Sequence, residues 1–115
     1  MTAIMTRFWV SLVMGTLVWI PVLALAANIP EYTVAIKDHR FDPVELKVPA
    51  NAKVKLIIDN QDGSAEEFES YELNREKVVA AKAKVTIFIG PLKAGTYKYF
   101  GDFHKNTAQG IITVQ

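Results

Sequence analysis

The stretch that decides the fold is Tyr97 to Gln115, which reads YKYFGDFHKNTAQGIITVQ. Tyr97 and Tyr99 alternate with Lys98, the period-two pattern of a strand with one face in a core and the other in water. Gly101 ends that run, and a largely polar loop follows as far as Gln109. Gly110 then opens Ile111, Ile112, Thr113 and Val114, β-branched residues that favour extended backbone. Two strands joined in this way form a closing hairpin. Its loop presents Asp102 and His104, an oxygen and a nitrogen donor for a metal ion. The chain has no Cys, and its three Met residues (Met1, Met5, Met14) all lie at the N-terminus, so sulfur ligates nothing in this loop.

Strand patterning extends outward from the hairpin. Tyr32, Val34 and Ile36 alternate on one face, and a polar turn from Lys37 to Arg40 contains His39. Phe41 to Val48 resumes the alternation through Val44, Leu46 and Val48, with Pro43 suited to an edge strand. Val54 to Ile58 is a third apolar run, ending at Asp59-Asn60, and Gln61 to Ser64 is a loop by composition. From Ala65 to Leu73, Glu67 and Glu69 share one face of an extended segment, and Glu66 points the other way, solvated or hydrogen-bonded to the loop. Val85 to Ile89 is a further strand; only Asn74 to Lys84 tolerates a helical turn. Strands at this spacing, punctuated by Gly, Pro, Asn and Asp, predict one all-β domain, a Greek-key β-sandwich.

Residues 1–26 read as a cleaved signal peptide and 27–115 as the domain. Arg7 is a short positive region, Phe8 to Leu25 is apolar, and Ala24-Leu25-Ala26 has the small-x-small form of a cleavage site. The alternative is an uncleaved membrane anchor. Cleavage removes one of 13 basic residues and none of 12 acidic ones, leaving a near-neutral domain. With no basic stripe, nucleic acid is not an expected partner. An exported domain without Cys has no disulfide staple and depends on its core. No phosphate loop or dinucleotide fingerprint is present, and two His without Cys give hydrolytic nucleophile chemistry little to build on.

Phe41-x-Pro43, Glu45-Leu-Lys-Val-Pro49, Leu56-Ile-Ile-Asp-Asn60, Gly95-x-Tyr97 and His104 six residues before Gly110 together resemble the cupredoxin family across almost the whole domain. Glu66-Glu-Phe-Glu-Ser70, Arg75-Glu-Lys-Val-Val79 and Gly101-Asp-Phe-His104 with Thr107-Ala-Gln-Gly110 are similar to the small periplasmic members that accompany iron permeases. The resemblance places the family's first His ligand at or near Glu67, its Cys at Gly101 and its second His at His104. It also brings the turn holding His39 to the metal-binding end. A thiolate-based blue-copper site is excluded.

The candidate ligand set is therefore Glu67, Glu69, His104, Asp102 and His39, for copper and/or iron. Each has a plainer reading. His104 and His39 can be solvated loop histidines, and Glu67 with Glu69 a solvated strand face paired with Lys or Arg. Asp102 can be a ligand, a partner orienting His104, or a turn residue.

The resemblance implies a periplasmic accessory of an iron-uptake system. Such a protein assists ferrous iron oxidation or ferric iron delivery beside an inner-membrane iron permease and other periplasmic uptake components. Copper-dependent ferrous oxidation is the one enzymatic activity in view, and a homodimer sharing one ion is compatible with exposed carboxylate loops. The alternatives are a periplasmic Cu(II)-handling protein and a metal-free protein–protein docking module.

Overall fold

A computed structural model of the chain describes residues 2–5, 11–21 and 28–115. The expected cleavage site at Ala24-Leu25-Ala26 lies outside the described residues. Residues 11–21 adopt no regular secondary structure, and no helix among the described residues is long and apolar enough to cross a membrane.

The strands are β1 (Glu31–Lys37), β2 (Arg40–Asp42), β3 (Glu45–Val48), β4 (Val54–Asn60), β5 (Glu66–Ser70), β6 (Arg75–Val79), β7 (Lys84–Ile89), β8 (Gly95–Gly101) and β9 (Gln109–Val114). One 3₁₀ turn, Asp102–His104, follows β8. A four-stranded sheet has the order β2-β1-β4-β7, and a five-stranded sheet the order β3-β9-β8-β5-β6. The β1–β4 and β3–β9 pairs are parallel and the others antiparallel. The fold is the all-β sandwich read from the sequence, with β8 and β9 as its closing hairpin.

Two local expectations are corrected. Phe41 to Val48 is two strands in different sheets, because the chain leaves the first sheet after Asp42 and joins the second at Glu45. Val44 falls on that crossing and is 64% exposed, whereas Leu46 and Val48 reach the core. The segment after Asn74 forms no helix. Arg75–Val79 is an edge strand paired with β5, and its alternating register (Glu67 opposite Val78, Glu69 opposite Glu76) overrides the local tolerance for a turn.

Val34, Ile36, Leu56, Ile58, Phe68 and Ile112 are fully buried between the sheets. Each contributes about 1.5–3 kcal/mol of transfer free energy. Toward one end of the core, Tyr99 packs against Phe41 at 4.8 Å and Phe68 at 4.9 Å between ring centroids. Phe41, Phe68 and Tyr99 sit two residues from His39, Glu66 and Gly101 respectively, so the period of the strands seats that end of the sandwich on a rigid aromatic floor.

The Tyr99 ring lies across Gly110. A Cβ at residue 110 would come within 2.4 Å of Tyr99 Cζ, and the buried Tyr99 hydroxyl has no hydrogen-bond partner among the described residues. Gly110→Ala is expected to destabilise the fold by about 1–3 kcal/mol through overpacking. Tyr99→Phe removes an unsatisfied group and is expected to stabilise it by about 1 kcal/mol. Denaturant midpoints with unchanged slopes check both; a neutral Gly110→Ala would show that the ring is not fixed there.

Candidate metal centre

Three segments meet over the aromatic floor: the β1–β2 turn with His39, the start of β5 with Glu66, and the 3₁₀ turn with His104. Glu66 shares its strand parity with Phe68 and Ser70, so it points inward and is only 1% exposed. A carboxylate this deep requires donors. Its Oε1 accepts the Glu67 and Phe103 backbone N–H groups, both at 2.9 Å, and its Oε2 lies 2.6 Å from His104 Nδ1. A carboxylate on Nδ1 favours the tautomer with the proton there, leaving the His104 Nε2 lone pair free.

His39 stacks on His104 with centroids 3.6 Å apart and planes inclined by 14°. His39 Nδ1 lies 3.4 Å from Asp62 Oδ2. His39, Glu66 and His104 each bring a donor atom within 4.8 Å of the others. Two imidazoles and a carboxylate suit Cu(II) or Zn(II) in donor type. Because the lone pairs of stacked rings run nearly parallel, one ion bound by both imidazoles requires one ring to turn. His39, the more exposed of the two, is the ring with room to turn.

Gly101 stands where the sequence resemblance puts a thiolate. A Cβ at that position would meet Glu66 Cδ at 2.6 Å, Glu66 Oε2 at 2.8 Å and Ala108 Cβ at 2.6 Å. The Glu66 carboxylate thus fills the space that a larger residue 101 would need.

Glu67 and Glu69 project from the opposite face of β5 and cluster with Glu76 of β6, not with the imidazoles. Asp102 pairs with Lys105 at 3.2 Å, and the contact to His104 comes from Glu66 instead. Of the five candidate ligands, His39 and His104 therefore lie in one group, Glu67 and Glu69 in another, and Asp102 in neither. The sequence reading left Glu66 outside the ligand set, although its parity with Phe68 was visible: a charge on the apolar face of a strand must have a partner. Glu76 joins Glu67 and Glu69 only through the β5–β6 register.

In this carboxylate group, sharing a hydrogen bond with Glu76 pushes Glu67 up from 4.5 to about 7, aided by burial and by the charges of Glu76, Asp102 and Glu69. Glu69 is also raised, by burial and by Asp102 and Glu76. Between about 4.5 and 7 the folded domain thus holds more protons on Glu67 than the unfolded chain does, so stability falls as pH rises through that window. Melting curves at several pH values should show this fall, and Glu76→Gln should flatten it. An equal slope in the variant would exclude the Glu67–Glu76 pair as its source.

Residues 10–114 match the cupredoxin-like domain family. An uncharacterised protein of Rickettsia prowazekii is 51% identical over 87 residues, covering 76% of this chain and 70% of the relative. Among solved structures, auracyanin A, a "blue" copper protein from Chloroflexus aurantiacus, aligns with a TM-score of 0.66 at 15% identity, covering 76% of this chain and all of that one. The metal-binding domain of the Streptococcus pneumoniae Cu(I)-exporting P-type ATPase aligns with a TM-score of 0.66 at 13% identity, covering 80% of this chain and 91% of that domain. At these identities the structural matches establish the sandwich and not its chemistry. The match over nearly the whole chain settles the family: this protein belongs to the cupredoxin-like domain proteins.

Proposed function

We propose that the protein is a periplasmic metal-binding accessory of an iron-uptake system, with copper held by His39 and His104 and with Glu66 orienting His104 from its Nδ1. The observation that carries this reading is the convergence of two imidazoles and a buried carboxylate at one end of the sandwich. Further support comes from the Ala-x-Ala site of the N-terminal segment and from structural neighbours described as copper proteins. Copper bound there would supply one-electron redox chemistry. The carboxylates of Glu67, Glu69 and Glu76 offer the hard oxygen donors that ferric iron prefers, on the other side of the same strand.

The chain's own residues divide the work. Glu66 holds His104 in one tautomer and orientation, and the aromatic floor excludes water from beneath it. The carboxylate group attracts a cationic substrate and stabilises its more highly charged product. A single copper does not reduce dioxygen by four electrons, so an acceptor outside the domain takes the electron that ferrous iron gives up. Delivery of the ferric product to a membrane permease completes the role. Cu(II) buffering is the competing reading if iron has no site.

Calorimetric titration with Cu(II), Fe(II) and Zn(II) tests this. Micromolar or tighter Cu(II) binding is expected, weakened at least about tenfold by His104→Ala. Glu67→Gln should leave Cu(II) affinity within twofold while weakening iron binding. Loss of copper and iron together in Glu67→Gln would mean a single site. Copper binding without any iron binding would favour the buffering role.

Gly101→Cys provides a second test. With Glu66 in the way, the new thiol should give no thiolate-to-copper charge-transfer absorption, whereas Gly101→Cys combined with Glu66→Ala should gain it. A blue Gly101→Cys single variant would contradict the steric exclusion.

A further inference from the structure

His39 occupies an unfavourable backbone. It and Asp38 both adopt left-handed conformations, with φ of 57° and 51°, and neither is glycine. Consecutive left-handed residues make the tight turn between β1 and β2, and such a turn persists only where its surroundings hold it. The holding group comes from far along the chain. Asp62 Oδ1 accepts the Asp38 N–H at 2.8 Å, and its Oδ2 accepts the His39 N–H at 2.9 Å. The same Oδ2 faces His39 Nδ1 at 3.4 Å.

Asp62 is itself fixed. Its N–H donates to Asn60 Oδ1 at 3.1 Å, and its carbonyl accepts the Lys82 N–H at 3.0 Å. Asn60 is fully buried, and its amide donates to the carbonyls of Ser64, Val79 and Ala80. Burial pushes the Asp62 carboxyl up, but the His39 and Asp38 amides and the His39 and Lys82 charges outweigh it and hold it below its ordinary value.

We infer that Asp62 is the positioning residue for His39, clamping both amides of its turn and facing Nδ1 so that Nε2 is the nitrogen left to bind an ion. The inference deepens the copper reading and rests on it for its consequence, though not for its geometry. Each imidazole then has a carboxylate at its Nδ1, Glu66 hydrogen-bonded to His104 at 2.6 Å and Asp62 in looser contact with His39 at 3.4 Å, each arriving from a different segment. Asp62 differs in one respect. It also holds the backbone of its histidine, which Glu66 does not.

The full chain, free of metal and at alkaline pH, is examined by long-range ¹H–¹⁵N correlation of the imidazoles. His39 should carry its proton on Nδ1, and Asp62→Asn should move it largely to Nε2 while His104 is unchanged. The second measurement is a double-mutant cycle on Cu(II) affinity. Asp62→Asn should weaken binding about tenfold in the wild-type background and less than twofold when His39→Ala is already present.

An unchanged His39 tautomer, or an equal loss of affinity in both backgrounds, would overturn the inference and leave Asp62 as a turn clamp only. If the wild-type protein binds no copper, the functional reading fails. The imidazole spectra of metal-free wild type and Asp62→Asn still decide whether Asp62 positions His39.

Discussion

The buried carboxylate of Glu66 is the constraint around which the functional end is arranged. A carboxylate at 1% exposure is tolerated only with its oxygens occupied, and three groups satisfy it: two backbone amides and the His104 imidazole. The Phe103 amide and the His104 ring both belong to the 3₁₀ turn after β8, so Glu66 ties the start of β5 to the closing hairpin. Gly101 follows from the same constraint, because no side chain fits between Glu66 and Ala108. His104 is thereby aimed, and His39 packs on its face.

Strand β5 serves two purposes because its side chains alternate. Glu66, Phe68 and Ser70 face inward, to a histidine, the aromatic core and the Lys98 carbonyl respectively. Glu67 and Glu69 face outward toward Glu76. A single five-residue strand thus separates an imidazole-rich group from a carboxylate-rich group by the thickness of its backbone. The first suits a borderline ion and the second a hard one. The hydrogen bond to Glu76 raises Glu67 and burial raises Glu69, and in both the neighbouring carboxylate charges add to the shift, a repulsion that a bound cation would relieve.

Much of this was legible in the sequence. Tyr97, Tyr99, Ile112 and Val114 marked the closing hairpin by parity, and His104 was placed in its loop. The face shared by Glu67 and Glu69 followed from the same period of two. The partnerships were less legible. Val44 followed the alternation of Leu46 and Val48 but sits on a change of sheet, which periodicity does not report. Glu76 meets Glu67 and Glu69 only through the β5–β6 register. Asp62 looked like one more polar loop residue, and its contacts with Asp38 and His39 depend on β1 and β4 being parallel neighbours. Glu66 is the instructive case, since its parity with Phe68 was visible but two of the three donors that make its burial tolerable come from 37 and 38 residues away.

The central claim is that His39 and His104 hold one ion together. Electron paramagnetic resonance of the protein with one equivalent of Cu(II) tests it most directly. Two bound imidazoles give a tetragonal, non-blue spectrum whose nitrogen couplings indicate two equivalents, falling to one in His39→Ala and in His104→Ala alike. An oxygen-only spectrum, or nitrogen couplings that survive both substitutions unchanged, would place the copper elsewhere and contradict the assignment.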